Sequence, residues 1–472
     1  MFVINRVKSK AARLSTINNA QYVGFFVLLS TLVLPLNVSS QVEFRGINTA
    51  PNLASSFNDA PLPRASEFNQ PLDLLNDFYP SIEVRAENSS NIRRRSDQSE
   101  SDNRLVISPG LAYKTNLGRH AFYGAYTGNF AYHSDFSSED SSAHDLNAKL
   151  GLDISSRWDI DLFGGIGTAR EERGVSGTRD TFFDSLGDTD DRDRINHDRY
   201  GIDLIYGRKL ERLKAVLGYE RSTASFNSTT GDEILAGDRD RVSDSFHFDL
   251  EYAISPRTAA FGRVEYTDVD FERSFLSFDS NQFDWLIGFR LKATGRLSGS
   301  VGYGGTQRDF DDSSLNGFDG NDYYVNLSYA FKPFSVFQFG ATRSIEEPSS
   351  TDASLFISEV FSISWEHALT DHLVLDSYVK FIDDDFNNGR RDEFVDYGFA
   401  LDYAVRPWLT VGVYFEEIDR DSNFDNIAFD DRIIGLRLKS DLRSLFRSRR
   451  NNKQVEPSSF RPNQRSQITN PR

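Results

Sequence analysis

The sequence predicts an all-β chain closed into an antiparallel transmembrane β-barrel of about 18 strands, with short periplasmic turns and long extracellular loops. Three observations carry that expectation. Apolar and polar residues alternate with period two through most of residues 79–440, the pattern of strands with one apolar and one polar face. Tight turns alternate with longer polar loops along the chain. A basic and then apolar segment opens the chain in the manner of an export signal.

Residues 1–40 read as a secretory signal peptide. Arg6, Lys8, Lys10 and Arg13 precede an apolar run from Tyr22 to Leu36, and Val38 and Ser40 place cleavage near Ser40. The alternative is an anchor helix, but the run is interrupted by Pro35 and falls short of the ~20 residues a helical span needs. Residues 41–78, rich in Asn, Ser, Pro and Ala, read as a flexible periplasmic lead-in.

The barrel is expected over residues 79–440. Val395, Tyr397, Phe399, Leu401 and Tyr403 share one parity, against Asp396, Gly398, Ala400 and Asp402 on the other. Eighteen such segments run from near Ile82 to near Lys439. Eight connections are tight, at residues 116–119, 155–157, 208–212, 255–257, 294–296, 332–333, 369–372 and 406–407. Nine are longer and polar, the longest at residues 171–196. A soluble propeller or sandwich also reads as evenly spaced strands. These segments, however, reach the ~9–11 residues of a tilted membrane crossing. Aromatics also gather at both strand ends: Phe122, Trp158, Phe337, Trp365 and Trp408 near the turns, and Tyr132, Tyr200, Tyr266 and Tyr323 near the loops, as interfacial girdles require.

The polar parity supplies candidate lumen-facing residues: Arg85, Lys149, Asp161, Asp203, Glu220, Asp249, Glu251, Arg263, Glu265, Asp284, Arg290, Asp376, Lys380, Asp396 and Asp402. Both signs occur, with glycine and serine between them, so the interior is expected to be hydrated and cross-braced by ion pairs. For any one residue, bracing the wall is the simpler role. A ring of 16 to 18 strands is wide enough for an aqueous channel.

Composition removes several classes. The chain has 472 residues, is 39% apolar and has no cysteine, which excludes a disulfide scaffold and thiolate metal sites. Its net charge is −17, and the charge is unevenly spread: residues 1–40 carry +4, residues 441–472 carry +6, and the body between carries −27. Such an acidic body is a poor partner for nucleic acid. The seven histidines have no nucleophile motif beside them, so no enzyme activity and no cofactor are expected. The acidic loop containing Asp188, Asp190, Asp191 and Asp193 lacks the spacing of a calcium loop, and no metal site is expected. Outward acidic loops of this kind would meet outer-membrane lipids and lipopolysaccharide, bridged by divalent ions. Residues 441–472, with Arg443, Arg447, Arg449, Arg450 and Lys453 and then prolines, read as a basic disordered periplasmic tail, or as a dock for acidic periplasmic export partners.

Asn91-Ile92, Ser101-Asp102 and Ser108-Pro109-Gly110-Leu111 near the first strands resemble the Putative beta-barrel porin 2 family, as does the stretch from Leu213 to Arg221. The resemblance runs over roughly residues 79–440. One departure is that no aromatic residue ends the chain at the last strand, Phe446 being the nearest. The resemblance implies a porin-like protein of the cell outer membrane, tied to exopolysaccharide or capsule export and hence to a polysaccharide substrate. The alternatives are a general diffusion porin for small solutes and a non-conducting surface receptor or structural barrel.

Overall fold

Each alternating segment forms one strand. In chain order they are β1 (Asp77–Ser89), β2 (Asp102–Leu117), β3 (His120–His133), β4 (Ser141–Asp153), β5 (Trp158–Arg170), β6 (Arg194–Tyr206), β7 (Leu213–Asn227), β8 (Arg241–Ser255) and β9 (Thr258–Phe271). The second half continues with β10 (Ser280–Leu291), β11 (Leu297–Phe310), β12 (Phe318–Lys332), β13 (Ser335–Glu346), β14 (Phe356–Ala368), β15 (Leu373–Phe386), β16 (Arg391–Arg406), β17 (Leu409–Ser422) and β18 (Phe429–Asp441). The computed structural model describes residues 77–96, 99–174, 192–207, 212–227, 239–272, 278–291, 296–346, 353–424 and 427–442. The expected signal peptide with its cleavage at Ser40, nearly all of the lead-in, and the basic tail beyond residue 442 lie outside the described residues.

Consecutive strands pair antiparallel, and β1 pairs with β18 from Ser81↔Asp441 to Ser89↔Ile433, closing an 18-stranded ring. Closure gives every strand a partner on both sides and leaves no edge, which a sheet in hydrocarbon requires. Both barrel ends of the chain lie on the side of the tight turns. Three of those turns place proline first, at Pro256, Pro333 and Pro407. Its φ near −65° suits the opening position of a β-turn.

Two connections differ from expectation. β6 begins at Arg194, so the longest loop spans residues 171–193. The β15–β16 connection has only four residues, 387–390, and is no longer than the tight turn at 369–372. Its Asn387-Asn388-Gly389 sequence explains this, since Gly389 adopts φ 87°, a left-handed conformation that lets the strand reverse at once.

Parity sorts the side chains. On one face Ile287, Leu436, Leu217, Ile434 and Phe399 stand at least half exposed. On β16 this apolar parity runs from Val395 to Tyr403, and on β10 from Phe283 to Leu291. Eight residue steps at ~3.3 Å, tilted by ~40°, give a band roughly 20 Å tall, close to the ~25 Å girdle of membrane barrels. Towards the loops the same outward parity turns charged, as at Asp383 and Asp385 on β15 and Glu417, Asp419 and Asp421 on β17. Trp158 and Trp408 are outward and exposed at the turn end, as are Tyr132, Tyr200 and Tyr266 at the loop end. The opposite parity faces the interior, and its buried apolar clusters, such as Ile382, Phe394, Ile418 and Phe429, sit near the loop end.

Candidate functional site in the barrel interior

The concave face brings together side chains two strands apart. His197 on β6 approaches Asp145 on β4 at 3.3 Å, His247 on β8 approaches Asp203 on β6 at 3.4 Å, and Arg437 on β18 bonds Asp402 on β16 at 2.6 and 2.8 Å. Each pair passes over a glycine of the intervening strand, respectively Gly167, Gly218 and Gly412, where a Cβ would collide with the pair itself. Glycine here serves clearance, and polar side chains can then brace the wall over a longer span than neighbouring strands allow.

All fifteen candidate residues lie on this inner parity. Arg85 bonds Glu83 at 2.7 Å, while Lys149 forms an ion pair with Asp161 at 2.8 Å and Arg263 with Asp249 at 2.8 Å and Glu265 at 3.8 Å. Glu251 pairs with Arg290, and Asp376 lies 3.6 Å from Arg437 beside Asp402. Lys380 stands opposite Asp396, which accepts the Tyr378 hydroxyl at 2.8 Å. Asp284 accepts bonds from Thr306 and Gln282, and Glu220 stands opposite Ser245. Among the described residues, no group of three His, Asp or Glu side chains could hold a metal ion.

The interior is not uniform. The inward positions of residues 298–306 on β11, 324–328 on β12, 336–344 on β13 and 358–364 on β14 carry no charge. Ser300, Asn326, Ser328, Gln338, Thr342 and Ser362 line this wall, and the Asn326 and Gln338 residues are exposed. Half the ring away, the inward residues of β3 are likewise uncharged. The ionic bracing is concentrated on the walls between.

At the loop end, chain segments fold inward across the mouth. A short 3₁₀ turn, Ser137–Glu139, presents Glu139 to three arginines. Arg173 holds it at 2.7 and 3.0 Å, Arg192 at 3.2 Å and Arg93 at 3.7 Å. Burial pushes the Glu139 carboxyl up, but the hydrogen bond and charge of Arg173, with the charges of Arg192 and Arg93, outweigh it and hold the group below the ordinary range. Arg94 completes the strap, with Nη1 donating to the Arg173 carbonyl at 2.8 Å and Nε 3.6 Å from Asp431 on β18. Gly174, in the stem of the β5–β6 loop, lies against the Phe429 ring of β18, although four strands separate β5 from β18. Arg94 has φ 52°, the one positive-φ non-glycine residue among those described. Such a conformation costs roughly 1–2 kcal/mol and persists only where its surroundings impose it.

Three short sequence blocks of the first strands gain structural roles here. Asn91, 1% exposed, accepts the Arg95 amide and donates to the Arg95 and Asp430 carbonyls, fixing the base of the strap. Asp102 accepts the amides of Asp135 and Phe136, fixing the next loop. Pro109, which lacks an N–H, coincides with a break in the β2–β3 pairing: the register passes from Ile107↔Phe130 to Gly110↔Thr127. Beneath the strap lies a cavity of about 710 Å³, within the range of small-molecule sites.

Sequence reasoning missed this strap. The run Arg93-Arg94-Arg95 was a visible signal, but Glu139 and Asp431 carry nothing local that marks them as its partners. It also missed the buried Arg390–Asp392–Arg420 cluster at the same end, in which Asp392 is held at 2.6 and 2.7 Å by the two arginines.

A family model described as Putative beta-barrel porin 2 matches residues 78–441. No curated protein sequence matches the chain. Among solved structures, it is similar to Pseudomonas aeruginosa OpdQ (13% identity, TM-score 0.44, covering 78% of this chain and 98% of that one). It is similar to OpdL of the same organism (13% identity, TM-score 0.42, 78% and 99%). It is also similar to the siderophore receptor PirA from Acinetobacter baumannii (8% identity, TM-score 0.40, 78% and 81%).

Proposed function

The chain belongs to the Putative beta-barrel porin 2 family, and from that premise we propose that this outer-membrane porin-like barrel is a passage for polar saccharides, serving exopolysaccharide or capsule export. The observation that supports the substrate class is the uncharged wall of hydroxyl and amide groups across β11–β14. Hydroxyl-rich solutes exchange hydrogen bonds with such groups at little net cost, because each bond lost to water is replaced at the wall. Many carboxylates of the charged walls are held against arginines or lysines, which keeps the lumen hydrated. Outer-membrane lipids and lipopolysaccharide would meet the outward charged belt above the apolar band.

The test has two parts. Purified barrel in planar bilayers is expected to conduct, and a silent barrel would remove the passage. Deleting the gene is expected to lower extracellular polysaccharide, and an unchanged level would remove the export role. The strapped mouth favours a second reading, a non-conducting receptor or structural barrel, and the same bilayer measurement decides between the two.

A further inference from the structure

We infer that the cavity beneath the Arg94 strap is a binding subsite for an uncharged, hydroxyl-rich stretch of saccharide. This rests on the reading of the barrel as a saccharide passage and adds where along the wall, and which kind of saccharide, is held.

Most of the charged groups around the cavity are engaged, chiefly with one another, and Arg170 donates to the Ser138 and Asp140 carbonyls. Arg104 bonds Glu87, Arg85 bonds Glu83, Arg94 reaches Asp431, and Arg173 and Arg192 close on Glu139. An anionic or cationic ligand would have to displace one of these partners from a largely buried pair, which is costly. Along β2 and β3 the side chains that face the cavity with hydrogen-bonding capacity to spare are uncharged. Thr127 and Asn129 lie on the inner parity of β3 and are exposed, and Ser108 stands beside them on β2, where Pro109 interrupts the ladder. His133 closes the same strand. Its side chain is 3% exposed and lines the cavity; Nδ1 faces Asp140 at 3.4 Å, and Nε2 has no hydrogen-bond partner among the described residues. A buried ring nitrogen left without a hydrogen bond is costly unless something else supplies one. A sugar hydroxyl, which both donates and accepts, serves either tautomer. The volume holds a short stretch of chain, so a polymer would engage the subsite segment by segment as it passes.

The experiment is isothermal titration of the folded barrel in detergent with maltohexaose, cellohexaose, mannohexaose and, as the charged comparison, hexagalacturonate. At least one neutral hexamer is expected to bind, and hexagalacturonate to bind no more tightly. Thr127→Val with Asn129→Leu is expected to weaken the neutral sugar at least tenfold, and His133→Leu, made separately, to weaken it severalfold. Phe399→Leu, on the outward face of β16, is expected to leave it unchanged. Heat-dependent gel mobility and circular dichroism check that each variant is folded, and His133→Leu carries the test if the double variant is not. Failure of all three neutral hexamers to bind, unchanged binding in the folded β3 variants, or preferred binding of hexagalacturonate overturns the inference. Conductance is measured independently. A barrel that conducts but binds no neutral hexamer loses the subsite and keeps the passage, whereas a barrel that binds but is silent keeps the subsite and loses the passage.

Discussion

Replacing Glu139 with alanine should loosen the mouth of the barrel while sparing its wall. The Glu139 and Arg173 side chains are 3% and 4% exposed, and those of Arg192 and Arg93 are 12% and 14% exposed. Removing the carboxylate leaves three largely buried guanidinium groups facing one another. Breaking a buried pair in this way costs about 3–5 kcal/mol, or roughly two to three and a half powers of ten in the local opening equilibrium at about 1.4 kcal/mol per tenfold change. The amides of Arg94 and Arg95, which donate to the Asn91 carbonyl and side chain at 3.0 and 3.1 Å, report that opening by hydrogen exchange. Acid supplies the internal control. Because the folded carboxyl lies below its ordinary value of about 4.5, its contribution is fully present above that pH and fades as pH falls through the depressed folded value. The difference between wild type and Glu139→Ala should therefore be large at pH 7 and close at more acid pH. Equal exchange at pH 7, or a gap that survives acid, would refute the role given to Glu139.

Three further outcomes follow from the inner and outer parities. Ile287→Arg, on the outward face at mid-band, should destabilise the barrel in lipid by about 2–4 kcal/mol, whereas Ser300→Arg, on the inner face of the adjoining strand, should cost far less in the same urea-unfolding assay. Gly412→Ala should force apart the Asp402–Arg437 pair and cost about 1–3 kcal/mol, as overpacked sites do; an unchanged midpoint would show that the pair yields freely. Arg437→Ala uncovers the Asp376 and Asp402 carboxylates, so the zero-current potential in a potassium chloride gradient should move towards cation selectivity, and no movement would place these groups off the ion path.

The all-β class, the strand number and the inner and outer faces are written in the sequence, because in a barrel each strand's orientation depends only on its own parity. Period two is a local property, and Val395 to Tyr403 displays it without reference to any other strand. The tight turns are equally local, since Pro256, Pro333 and Pro407 impose their own geometry. The partners across the interior are a different matter. Which carboxylate meets Arg437, or that Glu139 gathers arginines from two distant loops, depends on register accumulated around a closed ring. No short window of sequence records that sum. Gly412 shows the division most plainly. In sequence it is one glycine in an apolar strand, and only the closed barrel makes it the gap through which Arg437 on β18 reaches Asp402 on β16. The sequence by itself determined which side of the wall each residue takes, because alternation is a property of the backbone. The tertiary structure alone decided which residues meet inside, because those meetings are made by strands far apart in the chain and brought together only by closure.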